Sequence, residues 1–273
     1  MFRDDITCLI FSCDKFSDLW DGNLLLFREN WPGREFPTYI VTDRPTSRSF
    51  PDVEVIAAGE DAEWSERLKF AMGYVKTPYV FVTLDDYFLT GKADTAAMER
   101  YLELMKRDGY DYFRFFKRPK RATREPLEGF DGVYHVDPAS NYSVNLYPGI
   151  WAREFLETVV KEPRNAWMFE ISLSDQAVEY GAKCLCSYNK EYPMLDVVRK
   201  GKILHSANRW FRRHPGVYNG DREVQSWWFE AKLQLKMFVG RHAPMCLVAP
   251  LRKVFVKAGG VSFVDAYKKE KGE

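Results

Sequence analysis

The chain has 273 residues, enough for one large domain or a domain with a smaller appendage. Hydrophobic residues make up 46% and charged residues 29%, which excludes a disordered chain. The net charge of +1 excludes a general nucleic-acid binder, which would show a strong basic excess.

In chain order, Ile6 to Phe11 reads as a buried strand with a polar tip, Ser12-Cys13-Asp14-Lys15. A helical pattern runs through Leu24 to Phe27 and stops at Trp31-Pro32-Gly33. Thr38 to Thr42 is a second strand, ending in Asp43-Arg44-Pro45, and Val53 to Ala57 a short third. Strand, helix, strand with polar tips predicts a parallel, doubly wound sheet. Residues 61–76 follow as a helix, with Trp64, Leu68, Ala71, Met72 and Val75 on one face and Asp61 as the expected N-cap.

The stretch Tyr79 to Leu84 is an apolar run that leads into two adjacent carboxylates, Asp85 and Asp86. It reads as a strand buried on both faces, and ligands of open α/β sheets collect beyond the carboxyl ends of such strands. Two neighbouring anions repel and lose solvation unless a cation holds them, so a hard divalent metal is a natural guest. The alternative is a solvated turn that ends the strand.

Residues 94–107 form an amphipathic helix closed by Gly109, and Tyr112 to Phe116 the next strand. Residues 117–132 read as a loop carrying Lys117, Arg118, Lys120, Arg121 and Arg124, either a surface excursion or a cationic lid over a phosphate-bearing ligand. Asn141 to Gly149 is extended, a helix is expected from near Trp151, and Pro163 ends it. A further helix is expected from Ser172 to Tyr180, with Gly181 as terminator and a strand from Lys183 to Tyr188. Glu170 then sits at the mouth of that helix between bulky apolar groups, poised for a raised pKa or serving only to complement the helix dipole. Val197 to His205 reads as strand, turn and strand around Lys200-Gly201. From Lys232 to Glu273 the chain carries more Lys and Arg than acids, interleaved with Phe, Leu and Val. Such a tail suits an anionic membrane surface, a helical appendage packed on the main domain, or a partner subunit.

The five cysteines, Cys8, Cys13, Cys184, Cys186 and Cys246, have no framework spacing and point to free thiols in a reducing compartment. Met1-Phe2-Arg3-Asp4-Asp5 places acids where the basic region of a leader would be, and no apolar run reaches the ~18 residues of a membrane span. The expected setting is cytoplasmic, with peripheral contact at the inner face of the membrane as an option.

Three places carry a family resemblance. Trp64-(x2)-Arg67-Leu68, Thr77-Pro78-Tyr79-Val80 and Asp85-Asp86-Tyr87-Phe88-Leu89 together resemble the approach to the short acidic metal-binding motif of GT-A fold glycosyltransferases. Tyr147-Pro148-Gly149-Ile150-Trp151-(x3)-Phe155-Leu156 is similar to the acceptor-side segment of bacterial surface-polysaccharide glycosyltransferases. Trp167-(x2)-Glu170, with Gly181 eleven positions on, resembles the placement of the catalytic base in inverting members. The motif here is Asp-Asp rather than Asp-x-Asp, and the base segment reads Phe-Glu-Ile-Ser, so Asp175 stands as a second candidate base.

The resemblance implies a GT-A, Rossmann-like α/β fold: a mostly parallel central sheet flanked by helices over residues 1–205, with a helical C-terminal extension over 206–273. It implies a nucleotide-sugar donor, a saccharide or lipid-linked saccharide acceptor, and Mn²⁺ or Mg²⁺. Asp86 is then the direct metal ligand, Asp85 its support through water or at the ribose, and His205 a candidate third ligand, although a structural His at a strand end is as good a reading. Ser12, Asp14, Asp43, Trp64, Arg67 and Asp85 would face the nucleotide, and Tyr147, Trp151 and Trp167 the acceptor. Transfer needs a cation for the departing diphosphate and a base for the acceptor hydroxyl, and Glu170 fits the base. One base and no enzyme nucleophile implies inversion. A nucleotidyltransferase would carry a Gly-rich phosphate loop near the N-terminus, which Phe11-Ser12-Cys13-Asp14-Lys15 lacks. A non-catalytic binding scaffold would have no use for costly buried acids.

Overall fold

The computed structural model describes residues 2–116, 123–140, 142–242 and 267. β1 (Ile6–Phe11) passes through a 3-10 turn (Asp14–Leu19) into α1 (Trp20–Asn30), then β2 (Thr38–Thr42) and β3 (Glu54–Ala57). α2 (Trp64–Met72) leads to β4 (Tyr79–Leu84), the short β5 (Tyr87–Leu89) and α3 (Thr95–Asp108). β6 (Tyr112–Arg114), β7 (Thr123–Pro126), β8 (Val133–Val136) and β9 (Gly149–Ala152) precede α4 (Arg153–Thr158), α5 (Ala166–Tyr180) and β10 (Cys184–Ser187). The last elements are β11 (Met194–Asp196), β12 (Val198–Arg199), β13 (Lys202–Ile203), α6 (His205–Phe211) and α7 (Trp227–His242).

Nine strands form one sheet in the order β3-β2-β1-β4-β9-β6-β10-β8-β7. Only β9 and β8 run against the common direction, so the expected, largely parallel sheet is present. The period-2 alternation of each strand feeds two separate cores. Ile6, Cys8, Ile10, Phe81, Phe113, Ile150 and Leu185 join α1 and α3 on one face. Leu9, Phe11, Val80, Val82, Tyr112, Trp151, Cys184 and Cys186 join α2, α4 and α5 on the other. The result is a three-layer α/β/α arrangement, with Cys8, Cys184 and Cys186 buried.

Because the parallel strands share one direction, their carboxyl ends share one edge. Ser12, Asp43, Asp85 and Arg114 lie at that edge, at or next to the last residues of β1, β2, β4 and β6. A second, two-stranded ladder closes over it. β11 pairs antiparallel with β5, setting Asp196 opposite Tyr87. The β12–β13 hairpin follows, with Lys200 (φ 54) and Gly201 (φ 76) both left-handed, as a tight two-residue hairpin turn requires. The Lys200-Gly201 turn is where the sequence places it.

Several boundaries differ from expectation. α2 starts at Trp64, and its N-cap is Glu63, which forms a reciprocal capping box with Glu66 in place of Asp61. A strand, β9, occupies Gly149–Ala152 where a helix was expected, because it slots between β4 and β6 and Gly149 lets the Phe113 carbonyl come within 2.7 Å of where a Cβ would sit. α5 begins at Ala166, since the Asn165 side chain accepts from the Met168 amide at 3.1 Å. Glu170 is therefore inside the helix rather than ahead of it. From 123 onward the expected loop is a hairpin, β7–β8, whose Val133 and Val136 are buried because β10 supplies a pairing edge. The basic residues Lys117, Arg118, Lys120 and Arg121 lie outside the described residues.

The described segment that follows position 205 packs on what precedes it over Ala207 to Val217. Ala207, Phe211 and Val217 share a buried cluster with Leu19, Leu26, Phe88, Val197 and Ile203. Among the described residues no helix is long and apolar enough to cross a membrane.

Candidate active site

Asp85 is the most enclosed carboxylate at the carboxyl edge. It is buried, its amide donates to the Phe11 carbonyl at 3.0 Å, and its Oδ2 accepts from the Ser12 hydroxyl. Ser12 in turn accepts from Trp20 Nε1 at 2.6 Å. Asn23 of α1 donates to the carbonyls of Asp85 and Tyr87 at 3.0 and 3.2 Å, fixing the turn between β4 and β5. Burial and the neighbouring Asp86 push the Asp85 carboxyl well above the ordinary range, against the Ser12 hydrogen bond.

Asp86 points into a different environment. The residue is half-buried, but its Oδ1 reaches neither solvent nor a hydrogen-bond partner. Burial and the charge of Asp196 raise its pKa to about 7, with Arg199 opposing. Asp196 is raised by burial to about 6, its Oδ1 is likewise buried and unpaired, and its Oδ2 pairs with Arg199. The Val197 amide donates to the Asp86 carbonyl at 2.9 Å, so β11 is locked beside the turn. Hard carboxylate oxygens left unmet in a buried, acid-rich place fit a divalent cation such as Mg²⁺ or Mn²⁺. No group of three or more His, Cys, Asp or Glu is assembled for a metal among the described residues. The protein part of such a seat is thus two carboxylates, a number that suits an ion whose shell is completed by water and phosphate oxygens.

Glu170 approaches from the α5 side. Its Oε1 accepts from the Leu146 amide at 3.2 Å, and burial raises its pKa against that bond and the charges of Arg114 and Arg199. Arg114 is buried and donates to the carbonyls of Phe116, Tyr142 and Ser143. Tyr147 links the two sides: its ring stacks on Tyr87 at 5.4 Å and on Phe116 at 4.5 Å, with Arg114 over it. The charges of Arg199, Asp196, Glu170 and Arg114 all bear on Tyr147. Asp86, Asp196, Arg199, Tyr147 and Glu170 are therefore one connected constellation.

The remaining sequence candidates separate. Asp43 accepts from the Asp14 amide at 2.6 Å, which ties the tips of β1 and β2 together. Burial raises its pKa, but the amides of Asp14 and Asp43, the Thr42 hydroxyl and Arg67 outweigh that and leave it low. Arg67 donates to the carbonyls of Ser12 and Ala62 at 2.9 and 3.0 Å, so it braces the β1 tip and makes no ion pair with the Asp-Asp motif. Trp64 is buried between Phe11 and Phe169 (4.6 and 4.9 Å) and supports the site from below rather than facing a nucleotide. Trp151 is 0% exposed within β9 and packs on Tyr112, so it is core and not an acceptor platform. Trp167, 52% exposed at the start of α5, does face solvent. Asp175, five residues on from Glu170 in α5, accepts from the Tyr267 hydroxyl at 3.1 Å. His205 is exposed at the first position of α6, and among the described residues no group of three or more His, Cys, Asp or Glu gathers around it. Asp196 and Arg199 were missed, and the Lys200-Gly201 turn beside them was their only local signal. A depression of about 400 Å³ lined by Arg28, Pro32, Arg34, Glu35, Phe36 and Asp52 lies at the amino end of β2, away from this constellation.

No family model and no curated protein matches the chain. Solved structures do. The mannosyltransferase PcManGT from Pyrobaculum calidifontis, in complex with GDP-Man and Mn²⁺, matches over 100% of this chain and 80% of its own, at 13% identity and TM-score 0.50. TarS 1–349 of S. aureus matches over 69% of this chain at 10% identity and TM-score 0.47, and in complex with UDP-GlcNAc over 73% of this chain and 60% of its own, at 12% identity and TM-score 0.48. This chain spans 59% of the length of the first of these TarS structures. These neighbours are GT-A glycosyltransferases, and the fold of this chain is similar to theirs.

Proposed function

We propose that the chain is a glycosyltransferase that moves a sugar from a nucleotide-sugar to a hydroxyl of a saccharide or lipid-linked saccharide, in assembly of a surface polysaccharide. The observation that carries the proposal is Asp86 Oδ1, a buried carboxylate oxygen with no partner, at the carboxyl edge of a largely parallel sheet. That edge is where open α/β sheets bind nucleotides. A divalent ion held there by Asp86, with Asp85 braced behind it on Ser12, would supply positive charge for the departing diphosphate. PcManGT was solved with GDP-Man and Mn²⁺, and TarS with UDP-GlcNAc, which makes GDP- and UDP-sugars the first donors to try.

The chain's own residues divide the remaining work. The tips of β1 and β2, tied by Asp43 to the Asp14 amide, bound the place for base and ribose. Glu170 takes the acceptor proton. Burial raises its pKa, which makes a better base of it, and the Leu146 amide holds only one of its oxygens. The exposed Trp167 presents aromatic surface to the acceptor, and Tyr147, its ring stacked on Tyr87 and Phe116, forms the wall beside it. A single base opposite the leaving group gives direct displacement and inversion at the anomeric carbon. On α7, Trp227, Trp228 and Leu235 are more than half exposed, and the chain from 232 to 273 is rich in Lys and Arg. That face suits peripheral contact with the cytoplasmic membrane surface, where a lipid-linked acceptor would lie.

The test is a panel of nucleotides and nucleotide-sugars in thermal-shift assays with and without Mn²⁺. One nucleotide-sugar class should raise the Tm, more so with the ion. No response to any member of the panel would defeat the proposal.

A further inference from the structure

We propose that Asp196 of β11 is the second protein ligand of the divalent cation, and that Arg199 is the resident counter-charge that holds Asp196 in place when no cation is bound. The ligand set is specific to the β5–β11 ladder, and it rests on the transferase reading only for the diphosphate that would complete the ion's shell.

The first ground is hydrogen bonding. Among the described residues, two carboxylate oxygens of this constellation, Asp86 Oδ1 and Asp196 Oδ1, are buried without a partner. Leaving such an acceptor unmet is costly, and the two acids are near enough for the charge of Asp196 to act on Asp86, so one shared guest would meet both. Backbone pairing enforces the proximity. Asp196 is in register with Tyr87, and the Val197 amide bonds the Asp86 carbonyl at 2.9 Å, so neither acid can move off without breaking the ladder.

The second ground is charge. Asp86 and Asp196 lie at the turn beside the buried Asp85, Glu230 of α7 adds its charge to Asp196, and Arg199 brings one guanidinium, on Asp196 Oδ2. Arg222, the cation acting on Asp85, is already committed to Asp18 at 2.6 Å. Carboxylates therefore outnumber the guanidinium beside them, an excess that a divalent ion would offset. Arg199 reaches only one oxygen of Asp196, so the other stays open to the ion while the pair remains intact. His205 is exposed at the start of α6 and lacks the burial of Asp86 Oδ1 and Asp196 Oδ1.

Mn²⁺ affinity of the whole chain, read by electron paramagnetic resonance with and without a nucleoside diphosphate, tests this. Asp196→Asn should weaken Mn²⁺ binding at least about tenfold, a loss usual for disturbed metal sites. Arg199→Gln should bind Mn²⁺ as tightly as the parent or more so, because it frees the second oxygen. His205→Ala should change nothing. Thermal melts confirm that each variant is folded. If Asp196→Asn does not fold, Arg199→Gln decides. A loss of Mn²⁺ there would make the pair a purely structural support and overturn the proposal. Parent-like affinity in Asp196→Asn, loss in His205→Ala, or a parent that binds no Mn²⁺ would each overturn it as well. The transferase reading stands or falls separately: a parent that binds Mn²⁺ but no nucleotide-sugar defeats that reading alone, and one that binds nucleotide-sugar but no Mn²⁺ defeats this inference alone.

Discussion

Asp86 is a carboxylate whose burial beside Asp196 makes ionisation unfavourable, raising its pKa from 3.8 to about 7. The unfolded chain therefore binds fewer protons than the folded one between those values. By linkage, stability falls as pH rises through that window and levels off above it. Asp86→Asn removes the charge and the slope. Chemical denaturation at pH 8 should find this variant more stable than the parent by on the order of 1 kcal/mol, with the difference gone near pH 4. Glu170→Gln keeps the Leu146 hydrogen bond but cannot take a proton. Steady-state kinetics should show kcat down by about 10²–10⁴-fold with donor affinity unchanged. These two acids were legible because a paired-acid strand end and an acid among bulky apolar residues are local patterns. Asp196 was not, because nothing in Met194-Leu195-Asp196-Val197 announces a partner. Its role appears only when β11 pairs with β5, over a hundred residues earlier in the chain. Trp151 and Trp64 failed for the converse reason: a tryptophan carries no local mark of whether its ring faces a ligand or the core.

At the scale of elements, helices and strands with strong periodicity fell where expected, the starts of α2 and α5 shifted, and β7, β8 and β9 were not expected as strands. Asn165 and Glu63 are weaker advertisements of a helix than the apolar stripe behind them. A close approach also tests the packing of the segment after α6. Gly22 lies in α1, and a Cβ there would come within 1.9 Å of the Val217 carbonyl. The same segment is latched by Arg222, which bonds Asp18 and the carbonyls of Lys15 and Gly201 around the 3-10 turn at the β1 tip. Gly22→Ala gains helix propensity but forces the backbone of the latch outward. Urea unfolding should show a net loss of about 1–3 kcal/mol. A variant as stable as the parent would mean that the latch does not rest on α1.

For the whole molecule, one common strand direction gathers Ser12, Asp43, Asp85 and Asp86 at a single edge, though they are far apart in sequence. That gathering was readable from buried strands with polar tips. The reversed β9 was not, because its Gly-Ile-Trp-Ala is compatible with either a strand or a helix start. α7 exposes Trp227, Trp228 and Leu235 ahead of a stretch of sequence rich in Lys and Arg. The protein should co-sediment with vesicles containing anionic lipid and release at high salt, and Trp227→Ala with Trp228→Ala should reduce binding about tenfold. Recovery in the supernatant at every lipid composition would remove the membrane from the account. The central claim is that Asp86 seats a cation which in turn seats a nucleotide-sugar. Calorimetry of parent and Asp86→Ala with the responsive nucleotide-sugar, with and without Mn²⁺, tests it most directly. The account predicts Mn²⁺-dependent binding in the parent and its loss in the folded variant, whereas equal, ion-independent binding in both would contradict it.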